Sequence, residues 1–318
     1  MKDYRILLYY CYTPLEDPEA FREEHHLLCL ELNLLGRIIV AAEGINGTVS
    51  GLTENCEKYM QHLKADPRFA TIDFKVEESD GHAFAKLHVR HKPEIVHSRL
   101  RHVKPYEKTG VHVSPGEFKK LKDQEDVVLV DVRSDYEYNV GKFKNAITLD
   151  LENFRDFPDR VERLKPYQGK KVVTYCTGGI KCEKASAYLL EQGFENVYQL
   201  HGGIIKYGLE EGGEDFEGKC YVFDNRLTVD VNKVNPVVIS RCHVCQEPSD
   251  RMVNCANPVC NIHVAICEKC GQALQGACSD ACRNHPEVRP YDGSGYYQKD
   301  LNGYNPLKGF NRRKESPV

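Results

Sequence analysis

The sequence predicts an α/β protein of several domains, and three observations support this. Its 318 residues exceed the usual size of one domain, about 100 to 150 residues. Strand and helix patterns alternate along residues 4–89, and residues 171–190 have the pattern of a buried strand, a glycine-rich loop and a helix. Eight of the 14 cysteines lie between residues 242 and 282. We expect domains at 1–100, 112–212 and 213–288, followed by a basic flexible tail at 289–318.

The N-terminal region has the element order of a ferredoxin-like α+β sandwich. Its first helix pattern places Phe21, Leu28 and Leu32 on one face. The predicted elements are a strand at 4–12, a helix from Asp17-Pro18 to Gly36, a strand at 37–49 interrupted by a turn at 43–47, a helix from Thr53, and strands near 72–76 and 84–89. This βαββαβ order is typical of the sandwich.

A positively charged strip spans residues 86–104, from the last predicted strand of this region onward. Its only acidic residue is Glu94, although the whole chain carries 43 basic and 47 acidic residues and a net charge of −4. Affinity for nucleic acid therefore has to come from local patches, and the strip is a candidate track for RNA phosphates. The alternative is a solvated strand face and linker. The basic residues are Lys86, Arg90, Lys92, Arg99, Arg101 and Lys104.

Cys176 begins a short loop between a predicted strand at 171–175 and a helix pattern that starts near Cys182. Backbone N–H groups and the positive end of a helix favour thiolate over thiol there, so Cys176 is the candidate nucleophile. A buried structural cysteine is the alternative. The other loop residues are Thr177, Gly178, Gly179, Ile180 and Lys181; the glycines permit tight curvature, and Lys181 adds a cation.

Separated motifs between residues 112 and 210 resemble the rhodanese domain. They are Asp131-x-Arg133 at a strand end, Gly141-x4-Ala146, the Cys176 loop and Gly202-Gly203-Ile204. The resemblance implies a parallel-sheet α/β domain in which Cys176 is catalytic and Asp131 and Arg133 support the loop. Related phosphatase loops are one residue longer, so the six-position loop is expected to suit sulfur rather than phosphate. A capping box at Ser114 and Glu117 marks the first helix of this domain.

Four cysteine pairs indicate two metal sites. Their spacings let two thiolates reach one tetrahedral ion, and four thiolates complete each site. Structural zinc is the expected metal, with an iron–sulfur cluster as the alternative, and the pairing of the ligands stays open. The ligands are Cys242, Cys245, Cys255, Cys260, Cys267, Cys270, Cys278 and Cys282.

The whole chain resembles the bacterial tRNA uridine hydroxylases of the TrhO type, a family of rhodanese-domain proteins. The motifs that carry this resemblance are residues 43–48, residues 176–184 and Val222-Phe223-Asp224-x-Arg226. The family implies hydroxylation of the wobble uridine of tRNA to 5-hydroxyuridine, with molecular oxygen as co-substrate, the anticodon loop as partner and Cys176 as the essential cysteine. Most members carry arginine where this chain has Lys181, so the charge is kept and the planar fork of donors is absent.

Other function classes remain open from the residues alone. A persulfide sulfurtransferase of rhodanese type and a non-enzymatic RNA-binding adaptor are the alternatives to the hydroxylase. No flavin or nicotinamide motif is visible in the sequence. No apolar run is long enough to span a membrane, so a cytoplasmic protein is expected. Cys182 is a candidate resolving thiol for Cys176, and a residue packed beneath the loop is its alternative.

Overall fold

The computed structural model describes residues 2–291, which form two compact units that divide after Val237. The first unit contains the predicted sandwich and the domain of the Cys176 loop, and the second contains all eight clustered cysteines. The mixed α/β fold class is therefore confirmed. Among the described residues, no helix combines the length and the apolar character that crossing a membrane requires.

The N-terminal domain is a five-stranded sheet with two helices. The strand order is β4-β1-β3-β2-β5, which is that of a ferredoxin-like sandwich with one strand added beside β2. The elements are β1 (Tyr4–Tyr12), α1 (Pro18–Glu31), β2 (Leu35–Ala41), β3 (Gly44–Leu52), α2 (Thr53–Ala65), β4 (Lys75–Ser79) and β5 (Leu87–His91). Alternate residues of β1 point to opposite faces, so Leu7 and Tyr9 join the core beneath the helices while Leu8 and Tyr10 lie on the other face.

Two predicted boundaries in this domain are wrong. Helix α1 ends at Glu31 rather than at Gly36, because Asn33 takes a left-handed conformation (φ 51°) and reverses the chain in place of a glycine. Gly36 instead lies inside β2. The predicted turn at 43–47 is shorter, since β3 already begins at Gly44, whose φ of 135° and close approach to the Cys11 carbonyl require glycine.

The second domain has a parallel sheet of order β6-β11-β10-β7-β9. Its first helix begins with the predicted capping box, in which the Glu117 carboxylate accepts the Ser114 N–H at 2.8 Å. The elements are β6 (Val111–Val113), α3 (Pro115–Leu121), β7 (Val127–Asp131), α4 (Asp135–Tyr138), β8 (Gly141–Phe143), β9 (Ile147–Thr148), α5 (Phe157–Arg160), β10 (Lys171–Tyr175), α6 (Ile180–Glu191), β11 (Val197–Leu200) and α7 (Gly203–Glu211).

The segment after α7 completes this domain. It contains β12 (Phe216–Gly218), which pairs with β8, and the hairpin of β13 (Cys220–Tyr221) and β14 (Thr228–Val229). Val222 and Val231 join the same apolar cluster as Val173 and Ile204. Residues 216–231 are therefore part of the packing around the parallel sheet.

The second unit is small and rich in cysteine. Its elements are β15 (Met252–Asn254), β16 (His263–Ala265), α8 (Glu268–Ala273) and α9 (Asp280–Arg283). Four of the eight buried residues in its core cluster are cysteines. The basic tail predicted at 289–318 lies, apart from 289–291, outside the described residues.

Candidate active site and metal-binding clusters

The Cys176 loop joins the end of β10 to the start of α6. Cys176 follows Tyr175 directly, and its sulfur accepts the backbone N–H of Gly179 at 3.2 Å. Gly179 caps α6 with a φ of 102°, a conformation that favours glycine. The sulfur therefore lies at the N-terminal end of a twelve-residue helix, where the peptide dipoles favour negative charge.

Cys176 ionises more readily than an ordinary thiol. Burial opposes ionisation, but a hydrogen bond from the Cys182 side chain, the charge of Lys181 and backbone N–H groups outweigh it and lower the pKa of Cys176 to about 7. Burial and the neighbouring Cys176 sulfur raise the pKa of Cys182 well above its ordinary value. Cys182 is therefore the thiol of the pair, and its hydrogen bond favours the thiolate form of Cys176.

Glu137 fixes the charge of Lys181 beside the loop. Its carboxylate is fully buried, pairs with the Lys181 ammonium and accepts the Thr177 hydroxyl at 3.4 Å. The same carboxylate accepts the backbone N–H of Ser134 at 3.2 Å and so caps α4. Two of the predicted loop residues are therefore held by a carboxylate that the sequence did not single out.

Asp131 and Arg133 are buried and do not contact the Cys176 sulfur in any described hydrogen bond. They form a fully buried ion pair, with the Arg133 guanidinium 2.6 Å from the Asp131 carboxylate. The guanidinium also donates to the Gly141 carbonyl at 2.6 Å. The pair therefore ties the end of β7 to the start of β8, and its role in supporting the Cys176 loop stays a prediction.

The N-terminal domain covers the Cys176 loop with one face of β1. A Cβ added at Gly178 would lie 2.9 Å from the Leu8 side chain, and one added at Gly179 would lie 2.8 Å from the Tyr10 hydroxyl. The two glycines thus permit the close approach of a second domain, and Gly179 also has a positive φ that favours glycine. The strand itself carries the signal for this, because it has large apolar residues on both faces.

A buried carboxylate on α6 joins the two domains. Glu183 accepts hydrogen bonds from the Tyr10 hydroxyl at 2.9 Å and from Gln199 at 3.1 Å, and it pairs with His112 at 2.8 Å. Burial opposes ionisation of Glu183, but these partners lower its pKa; the hydrogen bond to Glu183 raises the pKa of His112. Sequence reasoning missed this network, since its members are far apart along the chain.

Further ion pairs hold the same two domains together. Lys184 is fully buried, and its ammonium lies 2.6 Å from the Glu43 carboxylate. Asp73 lies 3.3 Å from the imidazole of His201 and 3.1 Å from the ammonium of Lys206. Glu43 begins the motif at 43–48, so one role of that motif is to anchor the helix that follows Cys176.

All six cations of the basic strip are exposed, and two of them are paired. Arg99 lies 3.0 Å from Asp159, and Lys104 lies 3.2 Å from Glu107. Arg90 lies in β5 at the edge of the N-terminal sheet, Lys86 directly precedes this strand and Lys92 directly follows it. The structure therefore places the six cations on the surface and leaves their role as a prediction.

The eight cysteines form two clusters of four in which all sulfur atoms lie within 4.8 Å of one another. Sulfur–sulfur distances of 3.7 to 3.8 Å occur in both clusters. Four sulfur atoms bound at about 2.3 Å to one tetrahedral ion would lie about 3.8 Å from one another, which matches these distances. None of the eight cysteines forms a disulfide. The sequence left open which cysteine pairs share a site. In the structure, the first and third pairs form one cluster and the second and fourth pairs form the other: Cys242, Cys245, Cys267 and Cys270, and Cys255, Cys260, Cys278 and Cys282.

Comparison with known proteins covers nearly the whole chain. Three family models match: "UPF0176 acylphosphatase like domain" at 4–95, "Rhodanese-like domain" at 114–210 and "Rhodanase C-terminal" at 217–283. A tRNA uridine(34) hydroxylase of Cytophaga hutchinsonii is 68% identical over 306 residues, which are 96% of this chain and 98% of that protein. The chain belongs to the tRNA uridine(34) hydroxylase family.

The chain is also similar to more distant proteins. The tRNA uridine(34) hydroxylase of Bacillus cytotoxicus is 50% identical over 292 residues, covering 91% of this chain and 90% of that protein. The solved structure of a rhodanese-like domain protein of Staphylococcus aureus is 26% identical and covers 30% of this chain and 90% of its own, with a TM-score of 0.27. The two hydroxylase relatives confirm the predicted membership of the tRNA uridine hydroxylase family.

Proposed function

We propose that this chain hydroxylates C5 of the wobble uridine, position 34 of tRNA, to give 5-hydroxyuridine, with molecular oxygen as co-substrate and in the cytoplasm. The observation that carries the proposal is the 68% identity to a tRNA uridine(34) hydroxylase along almost the full chain. The rhodanese-like region is compatible with sulfur transfer as well, but the named relatives favour hydroxylation.

Cys176 supplies the nucleophile. With a pKa of about 7, a large fraction is thiolate at neutral pH, stabilised by the Gly179 N–H, the Cys182 thiol and the Lys181 charge. A thiolate can add to the uracil ring or be oxidised to a sulfenate. Because only 1% of Cys176 is exposed, the groups that cover the sulfur have to move aside before a uracil ring can contact it.

Cys182 is proposed as the resolving thiol. Its hydrogen bond to the Cys176 sulfur brings the two side chains into contact, and both are buried. Peroxide treatment of the wild-type protein should then give a reversible disulfide between the two, whereas the Cys182→Ser variant should accumulate over-oxidised Cys176. Peptide mass spectrometry measures both products. Equal over-oxidation in the two proteins would show that Cys182 is only a packing residue.

Zinc is the proposed metal of both cysteine clusters, in a structural role. Four thiolates at tetrahedral spacing leave no open coordination position. Backbone N–H groups point at the sulfur atoms, as from Cys267 to Cys242 at 3.3 Å and from Cys278 to Cys255 at 3.4 Å. These donors stabilise the negative charge of a thiolate cluster, so the residues present fit the ion.

The basic strip is proposed to position the tRNA. Phosphate contacts fix the register of an RNA without reading its sequence, and unpaired loop bases are read separately. In the Arg90→Ala, Lys92→Ala double variant, the salt dependence of tRNA binding should flatten by roughly 0.7 to 0.9 in log–log slope for each phosphate that the removed cations bind. A Lys170→Ala variant, which changes a cation outside the strip, serves as control. An unchanged slope in the double variant would identify the strip as a solvated face.

Nucleoside analysis of tRNA from cells lacking the protein separates the three candidate functions. Under the proposal, 5-hydroxyuridine and its derivatives disappear from the tRNA. Loss of thiolated uridines with retention of 5-hydroxyuridine would indicate sulfur transfer, and loss of neither would indicate an adaptor. Complementation by the wild-type gene is the control.

A further inference from the structure

Three aromatic side chains form a shelf beside the Cys176 loop. The aromatic shelf consists of Tyr136, Tyr221 and Phe223, whose rings meet edge to face with centroid distances of 5.1 Å and 5.3 Å along the row. Tyr221 is buried, whereas 44% of Phe223 is exposed. A large apolar ring at the end of a packed row is therefore presented to solvent.

The shelf belongs to the Val222-Phe223-Asp224-x-Arg226 motif, and its backbone is held firmly. The Arg226 guanidinium lies 2.6 Å from Asp224 and 3.0 Å from Glu77 of β4. The Val222 N–H donates to the Leu227 carbonyl at 2.8 Å. Both domains of the first unit thus fix the turn that carries Phe223, and the exposed ring is the part of the motif that this packing leaves unexplained.

Two contacts join the shelf to the catalytic loop. The Lys181 ammonium lies over the Phe223 ring, 5.5 Å from its centroid. The Thr177 hydroxyl, which also lies near Glu137, is 3.3 Å from the Tyr221 carbonyl oxygen. The ammonium takes one face of the ring, so a planar group stacked on the other face would be separated from Lys181 of the Cys176 loop by the ring of Phe223 alone.

Charges of both signs act on the shelf. Burial and the charges of Glu137 and Asp224 raise the pKa of Tyr221, and the charge of Arg37, which is paired in register with His88 of β5, opposes this rise. Arg37 also lies near Arg90 and Lys86, since after burial these three charges lower the pKa of His88. Among the described residues, the Arg37 guanidinium has no hydrogen-bond or ion-pair partner. It is exposed and available to a phosphate.

We propose that an unpaired nucleobase next to the target uridine stacks on Phe223, with Arg37 facing the adjoining phosphate; this rests on the function proposed above. An exposed aromatic ring bordered by cations is the pattern by which proteins hold single-stranded RNA, because every base has a π-face. The target uridine has to reach Cys176, so a base stacked on the ring beside Lys181 is its neighbour in the loop. Phe223 is thus a binding residue that orients the substrate.

The test uses the full chain and an RNA hairpin with the sequence of an anticodon stem-loop. The fluorescent base 2-aminopurine replaces the nucleotide on the 5′ side of the uridine in one RNA and on the 3′ side in another. Binding to the wild type and to Phe223→Tyr should quench one of the two probes, because stacking on a ring is retained. Phe223→Leu should lose this quenching and bind the hairpin roughly five- to hundred-fold more weakly. Leu27→Ala, which removes a 66% exposed side chain on α1, is the matched control and should behave as wild type.

Several outcomes decide between the claims. Unchanged affinity and quenching in Phe223→Leu overturn the stacking proposal while leaving the proposed hydroxylase intact. Failure of the wild type to bind the hairpin or to hydroxylate tRNA contradicts the proposed function itself. Because Phe223 also touches Lys181, the pH dependence of Cys176 ionisation is measured in the same variants. A shifted midpoint in Phe223→Leu, with no change in quenching, would assign the ring to the loop rather than to RNA.

Discussion

The two units of this chain differ in what stabilises each of them. The first unit has large apolar clusters on both faces of its parallel sheet and beneath the helices of its N-terminal sheet, each of 14 or more buried residues. The second unit has one cluster of eight buried residues, half of them cysteines. The first unit therefore has the larger apolar cores, and we expect the second to depend on metal ions held by its two cysteine clusters.

The two units also differ in the chemistry for which their cysteines are placed. Cys176 and Cys182 lie in contact with each other at a helix start that favours a thiolate. The eight cysteines of the second unit form complete sets of four. A thiolate that binds no metal is available as a nucleophile, whereas four thiolates bound to one ion all serve as its ligands.

Loss of one metal ligand should unfold the second unit alone. In Cys270→Ser, one cluster keeps only three thiolates, and structural zinc supplies apparent binding energies of about 10 to 16 kcal/mol in small zinc modules. Metal analysis should show loss of zinc, and hydrogen exchange should show loss of protection after residue 238 with little change before it. Cys56→Ser, which changes a buried cysteine outside the clusters, should keep the full metal content. Protection of the second unit in metal-free protein would refute a structural role for zinc.

Removal of the buried cation at the domain junction should destabilise the first unit. Lys184→Met leaves the Glu43 carboxylate and the carbonyls of Leu100 and Val103 without their ammonium partner, which should cost about 3 to 5 kcal/mol in the free energy of unfolding. Chemical denaturation measures this. The matched variant Lys58→Met breaks an exposed pair with Glu54 and should cost at most about 1 kcal/mol. Equal small effects in both would show that the junction is held by apolar packing.

Much of this architecture could be predicted from the sequence, because it depends on local patterns. Strand β1 has the predicted limits, helix α2 begins at the predicted Thr53, and the capping box at Ser114 opens α3. The cysteine spacings identified the residues of both clusters. The predicted end of α1 was wrong because Asn33 adopts the left-handed conformation that the prediction assigned to a glycine.

The contacts between domains could not be predicted in this way. Glu183 meets Tyr10 across 173 residues and His112 across 71, and no periodicity relates them. The cover of Leu8 and Tyr10 over Gly178 and Gly179 likewise depends on how two domains dock. The interleaved pairing of the cysteines follows from the path of the chain in space, since each spacing fits more than one pairing.

Neutralising Lys181 should produce the smallest of these effects. In Lys181→Gln, the charge that helps to stabilise the thiolate is absent, so the pKa of Cys176 should rise above about 7 and less thiolate should be present at neutral pH. The ultraviolet absorbance of the thiolate, taken as the difference from Cys176→Ser, measures the midpoint. An unchanged midpoint would assign the effect to Cys182 and the backbone alone.

The same ionisation should appear in stability. Because the folded protein lowers the pKa of Cys176, ionisation stabilises the fold above the ordinary thiol pKa of about 8.5. This contribution should be lost as the pH falls through about 7. Denaturation of the wild type and of Cys176→Ser across this range should therefore converge at acidic pH. Parallel curves would indicate that Cys176 is protonated throughout.

The most direct test of the account is Cys176→Ser in cells that lack the wild-type gene. Serine preserves size and polarity but cannot form a thiolate, so the variant should leave tRNA without 5-hydroxyuridine. It should nevertheless melt as the wild type does at acidic pH, keep both metal ions and bind tRNA with wild-type affinity. If the Cys176→Ser variant restores 5-hydroxyuridine to the wild-type level, Cys176 is a structural residue and the proposed mechanism is contradicted.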